Sequence, residues 1–170
     1  MSNSGEVLLQ AAGPDDTLLI SNLLQLYAYD LSEVYELSPG DDGRFIYDKL
    51  PRYWAEPETR FPLLIRHGGK VAGFALVTRG SPALDDPRVH DVAEFFVLRN
   101  QRRFGVGRRA AVLLWNRFPG PWTVRVSVAN TAALCFWSRA IEEYSGNTAQ
   151  ISSRPNRPHD WQVFYFERAK

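Results

Sequence analysis

The stretch Val97-Leu98-Arg99-Asn100-Gln101-Arg102-Arg103-Phe104-Gly105-Val106-Gly107-Arg108-Arg109-Ala110 decides how this chain reads. The hydrophobic run Val92 to Leu98 has the make-up of a strand, and apolar residues recur at helical spacing after Val106. A basic turn containing Arg102-x-x-Gly105-x-Gly107 joins the two. Glycines there let the backbone approach a ligand closely. The unpaired N–H groups at a helix start, with their partial positive charge, favour an anion. Arg102, Arg103, Arg108 and Arg109 strengthen that field, and a pyrophosphate is its natural occupant.

Several readings compete for this stretch. A Walker phosphate loop needs Gly-x4-Gly-Lys-Ser/Thr, and no such string occurs. Gly105-x-Gly107-x-x-Ala110 matches a dinucleotide fingerprint, which also wants an acid about 20 residues on. Residues 122–130 read Trp-Thr-Val-Arg-Val-Ser-Val-Ala-Asn and hold none. A plain glycine turn opening a basic surface helix is the structural alternative. The remaining reading is an acyl-coenzyme A site. The order strand, Arg-x-x-Gly-x-Gly, helix resembles the core motif of the GNAT superfamily of N-acetyltransferases.

The whole chain sets the frame. Its 170 residues suit one domain, 1–170, with 45% hydrophobic and 13% aromatic residues to fill a core. A net charge of +1 argues against non-specific nucleic-acid binding, so the arginines at 99–109 form a local patch. No run has the length of a transmembrane helix, and Met-Ser-Asn-Ser-Gly-Glu has neither the basic nor the apolar part of a leader. Cys135 is the single cysteine and has no internal disulfide partner. A cytoplasmic protein without nucleic-acid or membrane partners is expected.

Along the chain, residues 5–11 suit a first strand. Asp15 and Asp16 can cap a helix carrying Leu19, Leu23, Leu26, Tyr27, Leu31 and Val34. Residues 38–43 are loop chemistry, and 44–60 are irregular around Pro51 and Pro57. Phe61–Arg66 and Lys70–Thr78 read as strands joined by His67-Gly68-Gly69. A proline-containing loop leads to the strand 90–98. The helix 106–118 buries Val106, Ala110, Leu113, Leu114 and Phe118 in this reading, and Pro119-Gly120-Pro121 ends it. A strand Trp122–Val128 follows, then a helix from about Asn130, a loop over 147–158 with room for a short strand, and a last strand Trp161–Glu167. The pattern matches an α/β fold: a mixed, mostly antiparallel sheet flanked by helices.

A second motif agrees with the first. Asn130-x-x-Ala133-x-x-Phe136-Trp137 resembles the Asn-x-x-Ala-x-x-Phe-Tyr helix start of GNAT enzymes. The resemblance spans roughly residues 5 to 166, with its specific part at about 92–140. It implies a single GNAT-like domain with a V-shaped splay after the central strand, and acetyl-coenzyme A as cosubstrate. Phe96, Val97 and Leu98 would border the pantetheine arm. The backbone of Arg103, Phe104, Gly105, Val106, Gly107 and Arg108 would hold the pyrophosphate, Arg102 would brace the loop, and Asn130 would reach the pantetheine arm or a water while also capping its helix. The activity implied is acetyl transfer to a primary amine, of a small molecule or a peptide, by direct attack and without a metal. A noncatalytic acyl-coenzyme A module is the alternative. A homodimer is compatible with the resemblance.

Glu94 is the candidate catalytic base. A carboxylate among apolar strand residues is pushed towards a useful basicity by desolvation. Its structural alternative is a pair with an arginine on a neighbouring strand. The family's acceptor region corresponds to 27–36 and Asp41-Asp42, whose acids and tyrosines suit a cationic amine. Tyr29, Asp30 and Glu33 are the candidates there. His67 and His159 read as solvated, and Cys135 as small core filler. Trp137 replaces the family's tyrosine; indole is a donor but no useful acid, so either water or another tyrosine protonates the leaving thiolate, or the site is not catalytic.

Overall fold

Seven strands form one sheet in the order β1-β2-β3-β4-β5-β7-β6. They are β1 (Val7–Ala11), β2 (Arg60–His67), β3 (Lys70–Arg79), β4 (His90–Val97), β5 (Trp122–Ser127), β6 (Gln150–Arg154) and β7 (Trp161–Phe166). The helices are α1 (Thr17–Leu31), α2 (Arg52–Ala55), α3 (Val106–Arg117) and α4 (Thr131–Ser145). This computed structural model describes residues 5–168. Residues 1–4 and 169–170, the ends of the expected domain, lie outside it. All strand pairs are antiparallel except β4 with β5, which gives the mixed, mostly antiparallel sheet expected from the sequence. The short strand in 147–158 is β6, and α2 is an added turn of helix in the irregular segment.

The sheet sorts its side chains to two faces, as a period of two requires. On one face Ile20, Leu23 and Leu24 of α1, with Leu50 and Tyr53, cover Leu64, Phe74, Leu76 and Phe96. On the other, Trp115 of α3 and Trp137, Ala140 and Ile141 of α4 cover Leu63, Ala75, Val77, Val92, Trp122 and Val124. Burial of each large side chain contributes about 1.5–3 kcal/mol.

Two helix faces differ from expectation. In α1 the buried stripe is Ile20, Leu23 and Leu24; Leu26 is exposed and Val34 lies beyond the helix end. Asp16 does not cap α1 but closes the preceding 3₁₀ turn, accepting from the Gly13 N–H at 3.0 Å. In α3 the buried set is Val106, Ala110, Ala111, Leu114 and Trp115, while Leu113 faces solvent. Apolar residues on both flanks of a helix make its phase ambiguous, and the sheet chooses the one that seats the largest ring.

Candidate active site

Two irregularities in β4 create the site. Opposite β3, Leu76 pairs with Glu94 and Val77 with Val92, so Ala93 is an extra residue in the ladder. Such a bulge shifts the alternation by one. Val92 and Glu94 would otherwise share a face. With the bulge, Val92 stays in the core under α3 and α4, and Glu94 turns to the α1 face, where the Tyr27 hydroxyl donates to its Oε2 at 2.8 Å. On the other edge, parallel pairing with β5 stops at Val92↔Val124. Beyond it β4 and β5 diverge, and the rest of β4 has no strand partner on that side.

The V and the basic turn enclose a cavity of about 540 Å³. Phe95, Phe96 and Val97 form one wall, Asn130, Phe136 and Trp137 another, and Arg102, Arg103, Gly105, Gly107 and Arg108 the mouth. Leu98 and Phe104 lie just outside this lining, Leu98 packed on the α1 side and Phe104 exposed. Arg103 (φ 65°) and Gly105 (φ 72°) both take left-handed conformations, which bend the chain sharply into α3. The first intrahelical bond is Arg109 N–H to Gly105 O, 3.0 Å. The N–H groups of Val106, Gly107 and Arg108 therefore have no backbone acceptor within the turn, and Gly105 supplies no side-chain cap. These orphaned donors fit a pyrophosphate.

The arginines divide the labour. Arg102 donates from Nε to Val97 O at 2.8 Å and pairs with Asp30, which also holds Arg99 at 2.8 Å. Partial burial opposes it, yet hydrogen bonds from Arg102 and Arg99 hold the Asp30 carboxyl below its ordinary range. Arg109 donates to Phe104 O and Arg108 pairs with Glu143 at 3.1 Å. Asn130 caps α4, its Oδ1 accepting from Ala133 N–H at 3.1 Å.

A larger cavity, about 1200 Å³, opens on the α1 face. Tyr27, Tyr35, Tyr47, Tyr53, Glu94 and Arg125 are among its lining residues. A third space of about 110 Å³ in the crotch of the V is bordered by Tyr27, Tyr35, Glu94, Asn130 and Trp137. Burial pushes the Glu94 carboxyl up, against the opposing pull of Tyr27, Tyr47, Arg125 and Lys49. Burial and the nearby carboxylate push Tyr53 up to about 12. Of the acceptor residues expected from sequence, Tyr29 is 67% exposed. Asp30 and Glu33 border the cofactor-sized cavity, and none of the three lines the larger one. Helical phase accounts for Tyr29 and Asp30, since Tyr27, Ala28 and Leu31 face the larger cavity and the two residues between them do not, while Glu33 lies past the end of α1.

The arginine that would neutralise Glu94 is already taken. Arg125 of β5 is bound by Asp91, Nε at 3.0 Å and Nη2 at 2.7 Å, and its guanidinium lies 4.5 Å from the Trp161 ring centroid. Asp91 also accepts from Thr123 at 2.7 Å and Ser81 at 3.2 Å. Arg125 lies on the adjacent strand, two residues past Thr123, the register partner of Asp91. His67 is buried, not solvated, with Nδ1 2.8 Å from Gln101 Oε1. Cys135 is exposed rather than core filler. Trp137 is 7% exposed and packs on Phe95 and Phe136 at 5.0 and 4.8 Å between ring centroids.

A mixed sheet that splays beyond a bulge, with a donor-rich turn at its mouth, defines an acyl-coenzyme A-dependent transferase architecture. The Acetyltransferase (GNAT) family profile matches residues 23–139, and the chain belongs to that family, as a GNAT-type acetyltransferase. No curated protein matches it significantly in sequence. Among solved structures it is similar to a GNAT-family acetyltransferase from Streptococcus agalactiae, with TM-score 0.73, 12% identity and 96% of each chain covered. It is also similar to spermidine N-acetyltransferase from Vibrio cholerae in complex with CoA and spermine (TM-score 0.67, 12% identity, 95% of each chain). A third is yncA from Salmonella typhimurium with its cofactor acetyl-CoA (TM-score 0.63, 15% identity, 95% of this chain and 93% of that one). No helix among the described residues is long and apolar enough to cross a membrane.

Proposed function

We propose that the enzyme transfers the acetyl group of acetyl-coenzyme A to a primary amine by direct attack in a ternary complex. One observation carries this reading: Glu94 stands where the tyrosine-lined cavity meets the crotch of the V. Acetyl-coenzyme A fits the other side. The N–H groups of Val106, Gly107 and Arg108 would receive its pyrophosphate, and the unpaired edge of β4 over Phe96 and Val97 its pantetheine amides. A β4 donor at the thioester carbonyl would stabilise the charge that develops there.

The acceptor enters from the larger cavity as an ammonium. Aromatic faces and a carboxylate at its end attract a cation. Glu94, made more basic by burial, takes the proton that frees the nitrogen lone pair. Arg125 is held in a bidentate pair by Asp91, so it makes no ion pair with Glu94 and pulls on that carboxyl only from a distance. A small-molecule or peptide amine satisfies this chemistry; the similar Vibrio cholerae enzyme is a spermidine N-acetyltransferase. The test is coenzyme A thiol release across polyamines, aminoglycosides, amino acids and peptide N-termini. Turnover on at least one amine is expected. Tight acetyl-coenzyme A binding without turnover on any of them would refute the reading.

A further inference from the structure

The indole of Trp137 leaves the departing thiolate without a side-chain acid at the motif's usual position. Among the tyrosines, Tyr27 alone borders all three cavities: the cofactor-sized one, the acceptor-sized one and the crotch between them. Tyr35 borders the last two only, and Tyr47 the acceptor side only. The Tyr27 ring is held edge-on to Phe74 and tilted on Phe96, each at 5.7 Å between centroids. Its hydroxyl is bonded to Glu94 Oε2 at 2.8 Å. From this placement we infer that Tyr27 is the general acid of the reaction and forms a proton relay with Glu94. The inference rests on the acetyl-transfer reading above.

The relay balances. The bound ammonium gives one proton to the Glu94 carboxylate. The amine nitrogen then forms its bond to the thioester carbonyl carbon. As the C–S bond breaks, the electron pair leaves with sulfur, and the Tyr27 hydroxyl proton goes to that sulfur. Glu94 passes its proton to the Tyr27 oxygen through their hydrogen bond. Free again, Glu94 takes the second proton from nitrogen and releases it to water in the open cavity. The products are amide, coenzyme A thiol and one proton, and both side chains are restored.

The electrostatics favour this order. Burial and the Glu94 carboxylate hold the Tyr27 phenol well above its usual value, so it stays protonated while idle. Once Glu94 is protonated the carboxylate's share of that rise is gone, while the share from burial remains.

The test compares Tyr27→Phe and Tyr35→Phe over the full pH range, using acetyl-coenzyme A and the best amine found for the wild type. For Tyr27→Phe the kcat plateau should fall about 10²-fold, the scale of a lost general acid. KM for acetyl-coenzyme A should stay within about twofold. The acidic limb should move to higher pH, because the carboxylate has lost a donor. Coenzyme A titration of the melting temperature verifies that the variant is folded and binds. Tyr35→Phe, which alters the acceptor cavity, should act chiefly on the amine KM and leave kcat well above that of Tyr27→Phe. A Tyr27→Phe plateau that recovers to the wild-type kcat at high pH would overturn the relay and leave Tyr27 as a positioning residue. So would a loss confined to Tyr35→Phe. Either result requires an active wild type and leaves acetyl transfer standing; an inactive wild type overturns both.

Discussion

Glu94 carries a charge that its surroundings disfavour, and that makes it useful. Glu94→Gln keeps the shape and the acceptor for Tyr27 but loses the basic oxygen. Turnover should fall about 10²–10³-fold, with coenzyme A affinity nearly intact; a rise in amine KM at constant kcat would make Glu94 an anchor instead. The same substitution should stabilise the fold. The native carboxyl titrates above its unfolded value of about 4.3, so between the two the native state keeps a proton that the unfolded state has lost. Stability then decreases as pH rises through that window. The melting temperature of Glu94→Gln should exceed the wild type's at pH 7 and converge with it in acid. Trp137→Phe should retain most activity, since the indole supplies packing against Phe95 and Phe136 rather than a proton; collapse of kcat with binding intact would assign it chemistry. Single residues were legible in the sequence where a motif named them, as at Gly105, Gly107 and Asn130. Cys135 and His67 were misread because burial depends on which helix face or strand end meets the sheet, and no spacing encodes that.

The bulge in β4 is the element on which the chemistry depends, and past it β3 makes room for the end of β4. Gly73 faces Val97 across the ladder, and a Cβ built there would lie 1.9 Å from the Phe96 carbonyl oxygen. Gly73→Ala must push back the end of β4, a backbone rather than a flexible side chain. We expect a loss of about 3 kcal/mol in urea unfolding, together with weakened coenzyme A affinity because the displaced strand borders the cofactor cavity. Wild-type affinity in a destabilised Gly73→Ala would show that the strand end tolerates displacement. Six of the strands and their succession along the chain were legible, since each is a β-rich run between turn residues; the polar β6 was legible only as room for a short strand. The bulge was not. The run His90–Leu98 reads as uninterrupted, and only the partner register reveals that Ala93 is extra. The phase of α1 was hidden for a related reason, and with it the turn of Tyr27 towards the larger cavity.

Across the whole molecule, binding should add stability. Acetyl-coenzyme A at 100 times its Kd would contribute about 2.7 kcal/mol, raising the melting temperature by roughly 5–11 °C, where NAD should give no shift. Gly107→Val should abolish most of that shift. Its added methyls meet the Phe136 ring, already 3.3 Å from a Cβ at this position, and crowd the donors of α3. The family was legible because two motifs recur in order, whereas the acceptor cavity draws on α1, α2, β4 and β5 and the loops between them, far apart in the chain.

The splay has a further consequence for isotope exchange. β4 and β5 share three paired positions, His90 to Val92 with Trp122 to Val124, so amides of β4 that point into the V are bonded to no strand. They should take up deuterium within seconds in a protein whose β2–β3 amides hold out for hours. An occupant that pairs with β4 as a strand would silence those few positions and no others nearby. Their exchange therefore gives a footprint of pantetheine, residue by residue, that a global melting shift does not resolve.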